Sequence, residues 1–150
     1  MQLLQILECN DFLRIKAIVC KDGEMCDPAG IVFYPRYFEM TNSVVENFFA
    51  EVVGRSYARI SMQDRNGVPT VRIEATFRRP SRLGDRLAFM LEVTRVGGSS
   101  VGFHLEAHGD DGLRMEADLT LVWVSPEGTA APWPDEVRAR LQDEMNRKGQ

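Results

Sequence analysis

A chain of 150 residues, 44% hydrophobic and 27% charged, has the size and balance of one globular domain spanning 1–150. Its net charge of −4 comes without a basic block, which argues against a nucleic-acid partner. No apolar run approaches the ~20 residues that a membrane-spanning helix needs, so no membrane association is expected.

The opening, Met1-Gln2-Leu3-Leu4-Gln5-Ile6-Leu7-Glu8, lacks the basic start and longer apolar core of a secretory signal. Cys9, Cys20 and Cys26 are odd in number and irregular in spacing, which suggests neither a disulfide framework nor a zinc site. The expected setting is reducing and cytoplasmic, with residues 1–11 as an N-terminal extension.

Residues 13–20 alternate, with Leu13, Ile15, Ala17 and Val19 opposite Arg14, Lys16, Ile18 and Cys20, which predicts a half-buried strand. A loop with Asp22, Gly23, Pro28 and Gly30 follows. Residues 35–53 then change to a helical period. Pro35 suits the first helical turn, Gly54 the residue just past the end, and Phe38, Thr41, Val45, Phe48, Phe49 and Val52 form one mostly apolar stripe.

After a polar stretch ending in Asn66-Gly67, four more strand patterns arrive. Val71, Ile73, Ala75 and Phe77 mark the first, and Leu87, Phe89, Leu91 and Val93 the second, after Gly84-Asp85. Gly97-Gly98 leads to Val101, Phe103, Leu105 and Ala107, and Gly109-Asp110-Asp111-Gly112 leads to Met115, Ala117, Leu119, Leu121 and Trp123. Strand, long helix and four-strand meander predict an α+β fold, in which one helix packs on a curved antiparallel sheet of about five strands. Residues 125–150 form a C-terminal tail, with a helical pattern over 135–147 whose thin stripe is Val137, Leu141 and Met145. It docks on the sheet, docks on a neighbouring subunit, or frays.

Fold outline alone does not give function, so the chemistry must come from local residues. The loop before the long helix is unusual, because Asp27 stands between Cys26 and Pro28 and is followed by Gly30, then Ile31-Val32-Phe33-Tyr34. Burying that apolar run stabilises by a few kcal/mol, which predicts a packed loop with a carboxylate beside an apolar channel. A helix N-terminus can polarise a carbonyl as it gains negative charge, and a nearby carboxylate can act as nucleophile or as base toward water. The same residues also suit a plain turn-forming Asp before a helix start.

Asp27-Pro28-Ala29-Gly30-Ile31-Val32-Phe33-Tyr34-Pro35, followed by Arg36-Tyr37-Phe38 and a helix, resembles the signature of the 4-hydroxybenzoyl-CoA thioesterase family of hotdog proteins. In element order the likeness covers roughly residues 12–125, and in letters it is specific over 26–38. Ser81-Arg82-Leu83-Gly84-Asp85 and Gly97-Gly98-Ser99-Ser100 also look like the family pattern. The resemblance implies a hotdog fold and hydrolysis of an acyl-CoA thioester. It makes Asp27 the catalytic carboxylate and the backbone N–H of Tyr34 the donor to the thioester carbonyl. It also implies Gly30, Ile31, Val32, Phe33 and Asn42 as substrate-binding residues, CoA as part of the substrate with no other cofactor, and a homodimer or homotetramer with sites at subunit interfaces. Two positions depart from the pattern. Met25 replaces an acid carried by many relatives, and Asn42 stands where the 4-hydroxybenzoyl enzyme has Asp, which argues against that aromatic substrate.

Rival chemistry is sparse. Cys26 has no His nearby in sequence and reads as a structural thiol. His104 and His108 lie roughly 13 Å apart by strand rise, too far to share one ion, and no metal-ligand spacing occurs. Arg82 and Arg86 are candidates for the phosphates of CoA or a solvated basic edge. Ser99 and Ser100 reach a nucleotide or form a turn. The competing functions are a non-catalytic hotdog module that binds acyl-CoA or an acyl carrier, and a dehydratase or hydratase. The latter lacks its expected His-bearing motif around residues 24–40.

Overall fold

The computed structural model describes residues 5–9, 12–18, 30–32, 34–82 and 84–147. Its elements in chain order are β1 (Gln5–Cys9), β2 (Phe12–Ile18), α1 (Tyr34–Phe48), α2 (Tyr57–Met62), β3 (Thr70–Phe77), β4 (Arg86–Val96), β5 (Ser100–Gly109), β6 (Gly112–Val122) and α3 (Asp135–Asn146).

The strands form one six-stranded sheet in the order β1-β2-β4-β5-β6-β3. β1 pairs antiparallel with β2, from Gln5 opposite Lys16 to Cys9 opposite Phe12, and β2 pairs antiparallel with β4. The expected N-terminal extension therefore contributes a strand. The four-strand meander needs correction, because only β4, β5 and β6 follow one another and β3 lies at the far edge beside β6. Arg78 N–H donates to Arg114 O at 2.8 Å and Val122 N–H to Pro69 O at 3.1 Å, so β3 runs up as β6 runs down. The β4–β5 and β5–β6 links are tight turns, whereas residues 78–85 are long enough to carry the chain across the sheet.

Helix α1 begins one residue before the expected Pro35 and continues after Phe48 as a π-helical turn, Phe49–Val53. Gly54 closes it with φ +77°, and its N–H donates to Phe49 O. That left-handed conformation is open to glycine at little steric cost, which is why the helix stops there.

Contacts group the chain into two compact units. The first takes residues up to Val44, Ala75–Leu91 and Leu105–Ala117. Its interior contains Tyr37, Met40, Val44, Leu87, Phe89, Leu105 and Met115, the alternating inward positions of three strands beside one helix face. The second takes Val45–Glu74, Glu92–His104 and the chain from Asp118 onward. Here Phe49 is the aromatic hub, with ring centroids 5.5 Å from Tyr57, 5.9 Å from Phe48, 6.3 Å from Trp133 and 6.4 Å from Phe103.

The C-terminal tail docks within this second unit. Trp133 N–H donates to Gly98 O at 3.0 Å and its indole Nε1–H to Ser100 O at 3.1 Å, while Val137 and Leu141 are buried. Arg55, itself buried, adds ion pairs to Asp64 at 3.2 Å and Glu136 at 3.4 Å. Gly97 N–H donates to Ser100 O at 2.8 Å, and Ser99 O accepts from Trp123 N–H at 2.7 Å, so Ser99 lies in the β4–β5 connection and Ser100 closes it as the first residue of β5.

Strand β3 differs from β4, β5 and β6 in burial. Its apolar alternation is real, but Val71 is 59% exposed, Ile73 40% and Phe77 43%. β3 therefore leaves an apolar surface exposed at an edge of the sheet.

Candidate functional site

Asp27 and Phe33, with Cys26 and Met25, lie outside the described residues. Between Asp27 and α1, residues 30–32 are described, and their backbone is held in place. Gly30 takes φ +79°, a left-handed conformation suited to glycine. Ile31 forms an antiparallel bridge with Arg82, and Val32 N–H donates to Ser81 O at 2.8 Å. Val32 is buried and Ile31 half-buried, as a packed loop requires.

Tyr34 is the first residue of α1, at the positive end of the helix dipole, and no acidic residue in the first turn offsets that charge. Its ring departs from the packed-loop expectation, being 57% exposed. It meets Phe38 and Phe77 edge-on, with centroids 6.2 and 6.3 Å away, and Phe77 also meets Tyr37 at 5.4 Å. An apolar aromatic patch therefore borders the helix start.

Arg82 is brought beside Ile31 by the bridge, and Arg86 opens β4 a few residues later. Both are exposed, and neither side chain has an ion-pair partner among the described residues. Asn42 is exposed on α1, roughly 12 Å along the helix axis from Tyr34 by helical rise, so it is not grouped with residues 30–32. His104 Nδ1 lies 2.9 Å from Asp118 Oδ1, and His108 Nε2 lies 2.6 Å from Glu106 Oε2, so each imidazole has its own carboxylate.

The strongest polar cluster near residues 30–32 was absent from the sequence-based candidates. Arg114, on β6, has a side chain only 8% exposed. Its Nη1 donates to Pro80 O at 2.9 Å, Ser81 Oγ at 3.0 Å and Asp85 Oδ2 at 3.0 Å. Its Nε donates to Asp111 Oδ1 at 2.9 Å, and Nη2 lies 2.7 Å from the same oxygen. Burial opposes the guanidinium charge, but the hydrogen bonds it donates to Asp85 and Asp111 outweigh it and hold the pKa above its ordinary value. Tyr37 OH donates to Ser81 Oγ, which ties the first turn of α1 to the same cluster.

Asp85 also accepts from the Arg82 N–H at 2.8 Å. That backbone bond first, and the Arg114 side chain second, hold its carboxyl below the ordinary 3.8. A folded-state pKa below the unfolded one contributes stability above the unfolded value and loses it as pH falls through the folded value. Thermal melting of the wild type should therefore decline between about pH 5 and pH 2, and Asp85→Asn should flatten that decline. Parallel melting curves for the two proteins across this window would contradict the assignment.

Among the described residues, no group of three or more His, Cys, Asp or Glu side chains is arranged to hold a metal ion. Among them, too, no helix is long and apolar enough to cross a membrane.

Solved structures share this architecture. A thioesterase-superfamily protein from Jannaschia sp. CCS1 is 20% identical, with a TM-score of 0.82 over 97% of this chain and 98% of its own. A 1,4-dihydroxy-2-naphthoyl-CoA thioesterase from Synechocystis is 21% identical, with a TM-score of 0.79 over 88% of this chain and 96% of its own. A Staphylococcus aureus protein solved in complex with CoA is 14% identical, with a TM-score of 0.83 over 100% of this chain and 90% of its own. At these identities the likeness establishes the hotdog fold, an antiparallel curved sheet with a helix. No curated protein sequence matches the chain. Residues 20–141, by contrast, match the thioesterase-like superfamily, a span that includes Asp27, α1 and β3 through β6. The chain belongs to the thioesterase-like superfamily.

Proposed function

We propose that the protein is an acyl-CoA thioesterase, hydrolysing its substrate to the free acid and CoA. The match of residues 20–141 to the superfamily carries this reading, because it spans both Asp27 and the start of α1. In the general-base form, Asp27 takes a proton from water as the water oxygen adds to the thioester carbon. The Tyr34 N–H donates to the resulting oxyanion, the C–S bond breaks, and the CoA sulfur leaves and is protonated. In the nucleophilic form, the Asp27 carboxylate adds to the carbon, the C–S bond breaks as the CoA sulfur leaves and is protonated, and water hydrolyses the resulting anhydride to the free acid and the Asp27 carboxylate.

Gly30, Ile31, Val32, Phe33 and Asn42 are the residues assigned to binding the substrate. Arg82 and Arg86 meet the phosphates of CoA. Their exposure and lack of ion-pair partners among the described residues support that role. The CoA complex of the Staphylococcus aureus neighbour also supports a CoA ligand.

The assembly is a homodimer or homotetramer. The exposed Val71, Ile73 and Phe77 on an edge strand support pairing with a second copy, since an antiparallel edge can meet itself about a two-fold axis.

Thiol release measured over a panel of aliphatic and aromatic acyl-CoAs, alongside sedimentation, tests both parts. The expected result is turnover of at least one acyl-CoA by a dimer or tetramer, which Ile73→Lys weakens. Binding of the panel without thiol release would instead support an acyl-CoA or acyl-carrier binding module, and a monomeric wild type would contradict the assembly.

A further inference from the structure

We infer that Arg114 is a positioning residue for the hydrolytic site, acting through Ser81 on the Val32 backbone and through Ser81 and Tyr37 on the first turn of α1. The inference rests on the thioesterase reading above, which places the reacting carbonyl between Asp27 and the start of that helix.

The geometry is a clamp with two outputs. Ser81 is buried, and its two oxygens face different clients. The carbonyl O accepts from Val32 N–H at 2.8 Å, while Oγ accepts from Tyr37 OH and from Arg114 Nη1 at 3.0 Å. One serine thus fixes the backbone just before α1 and a side chain in its first turn. Arg114 anchors that serine from both sides, through Pro80 O and through Asp85, which also caps the turn at Arg82. Its own backbone O accepts from Arg78 N–H at 2.8 Å and Arg79 N–H at 3.3 Å, which fixes the entry to the same connection.

Gly109 shows how closely the guanidinium is seated. A Cβ built there would lie 2.7 Å from Cζ, Nε and Nη2 of Arg114. The missing side chain at 109 is therefore part of the seat. Alanine at that position forces the guanidinium out of its hydrogen-bonding place while leaving every polar group in the chain.

A clamp of this kind matters to rate because catalysis depends on holding donor and carboxylate in register. A displacement of about 1 Å can cost about a hundredfold, and a fraction of that about tenfold. Tyr37→Phe, Ser81→Ala and Gly109→Ala, in the full-length chain, test it by thiol release from an acyl-CoA that the wild type turns over. Tyr37→Phe should melt within a few degrees of the wild type and Gly109→Ala lower, since it displaces a buried charge, and each of the three should lose about tenfold in kcat per folded molecule with little change in KM. Tyr37→Phe combined with Ser81→Ala should lose no more than Ser81→Ala alone, since both break one link. A merely structural role would leave kcat per folded molecule unchanged, whatever the melting temperature.

Arg114→Met should show the largest loss of kcat, and the three milder variants decide the matter where it does not fold. If all three keep wild-type kcat while Asp27→Asn is inactive, the clamp is overturned and the thioesterase reading stands. A wild type that releases no thiol from any acyl-CoA overturns both.

Discussion

Replacing Phe49 by alanine is expected to cost about 3–5 kcal/mol of stability, the largest loss of any single truncation in the second unit. Phe49 has no exposed surface, and four aromatic rings approach its own within 6.4 Å. It is also the first residue of the π-helical turn, and its carbonyl accepts from both Gly54 N–H and Arg55 N–H. A cavity there cannot easily collapse, because Trp133 is held separately by its indole bond to Ser100 O. For a chain of this size the melting temperature should fall by roughly 10 °C. Phe49→Leu, which keeps most of the volume, should cost about 1.5 kcal/mol or less. Met62 is 80% exposed, so Met62→Ala is the matched control and should lie within about 0.5 kcal/mol of wild type. Equal melting of the Phe49 and Met62 alanine variants would refute this packing account.

The residues that shaped the fold in the sequence were those whose period matched their element. Phe48 and Phe49 on the helical stripe and Leu87, Phe89, Leu105 and Met115 on alternating strands are all buried. Gly54 marked the helix end because a left-handed φ leaves few other choices. What escaped were features set by pairing between distant residues. β1 gains its place by antiparallel pairing with β2 rather than from a strong pattern of its own. Helix α2 has only Ile60 buried and is started by Ser56, whose side chain accepts from Arg59 N–H at 3.2 Å. Six residues with one fully buried side chain read as a polar stretch.

Strand β3 shows the opposite effect. Alternation in Val71, Ile73 and Phe77 correctly marked a strand, yet it does not say whether the chain itself or something else covers the apolar face. Nor did hairpin logic place it, because residues 78–85 form a crossing rather than a turn.

At the candidate site, the family signature pointed to the helix start, and the bridge between Ile31 and Arg82 gives one of the proposed phosphate contacts a neighbour in the reacting segment. Arg114 was missed because its position in the β6 alternation is that of Glu116 and Asp118, which reads as a solvent face. The available signal was the glycine at 109 beside two aspartates, a place where a guanidinium can lie against backbone. Recognising it required knowing that Ser81, Asp85 and Asp111 converge there.

The second large effect concerns Asp27 and is one of rate rather than stability. As general base or nucleophile, its carboxylate supplies a step that an amide cannot, so Asp27→Asn should lower kcat by about 10²–10⁴. KM should change little, because the amide keeps the size of the carboxylate and the proposed contacts to the CoA phosphates lie at Arg82 and Arg86. Substrate binding by Asp27→Asn should therefore survive, in contrast to Arg82 and Arg86 variants, which should raise KM with a smaller effect on kcat. The most direct measurement is thiol release by wild type and Asp27→Asn on the best substrate of an acyl-CoA panel, both normalised to folded protein. The account predicts robust turnover by the wild type and a loss of at least about a hundredfold in the variant; equal turnover by the two would contradict it.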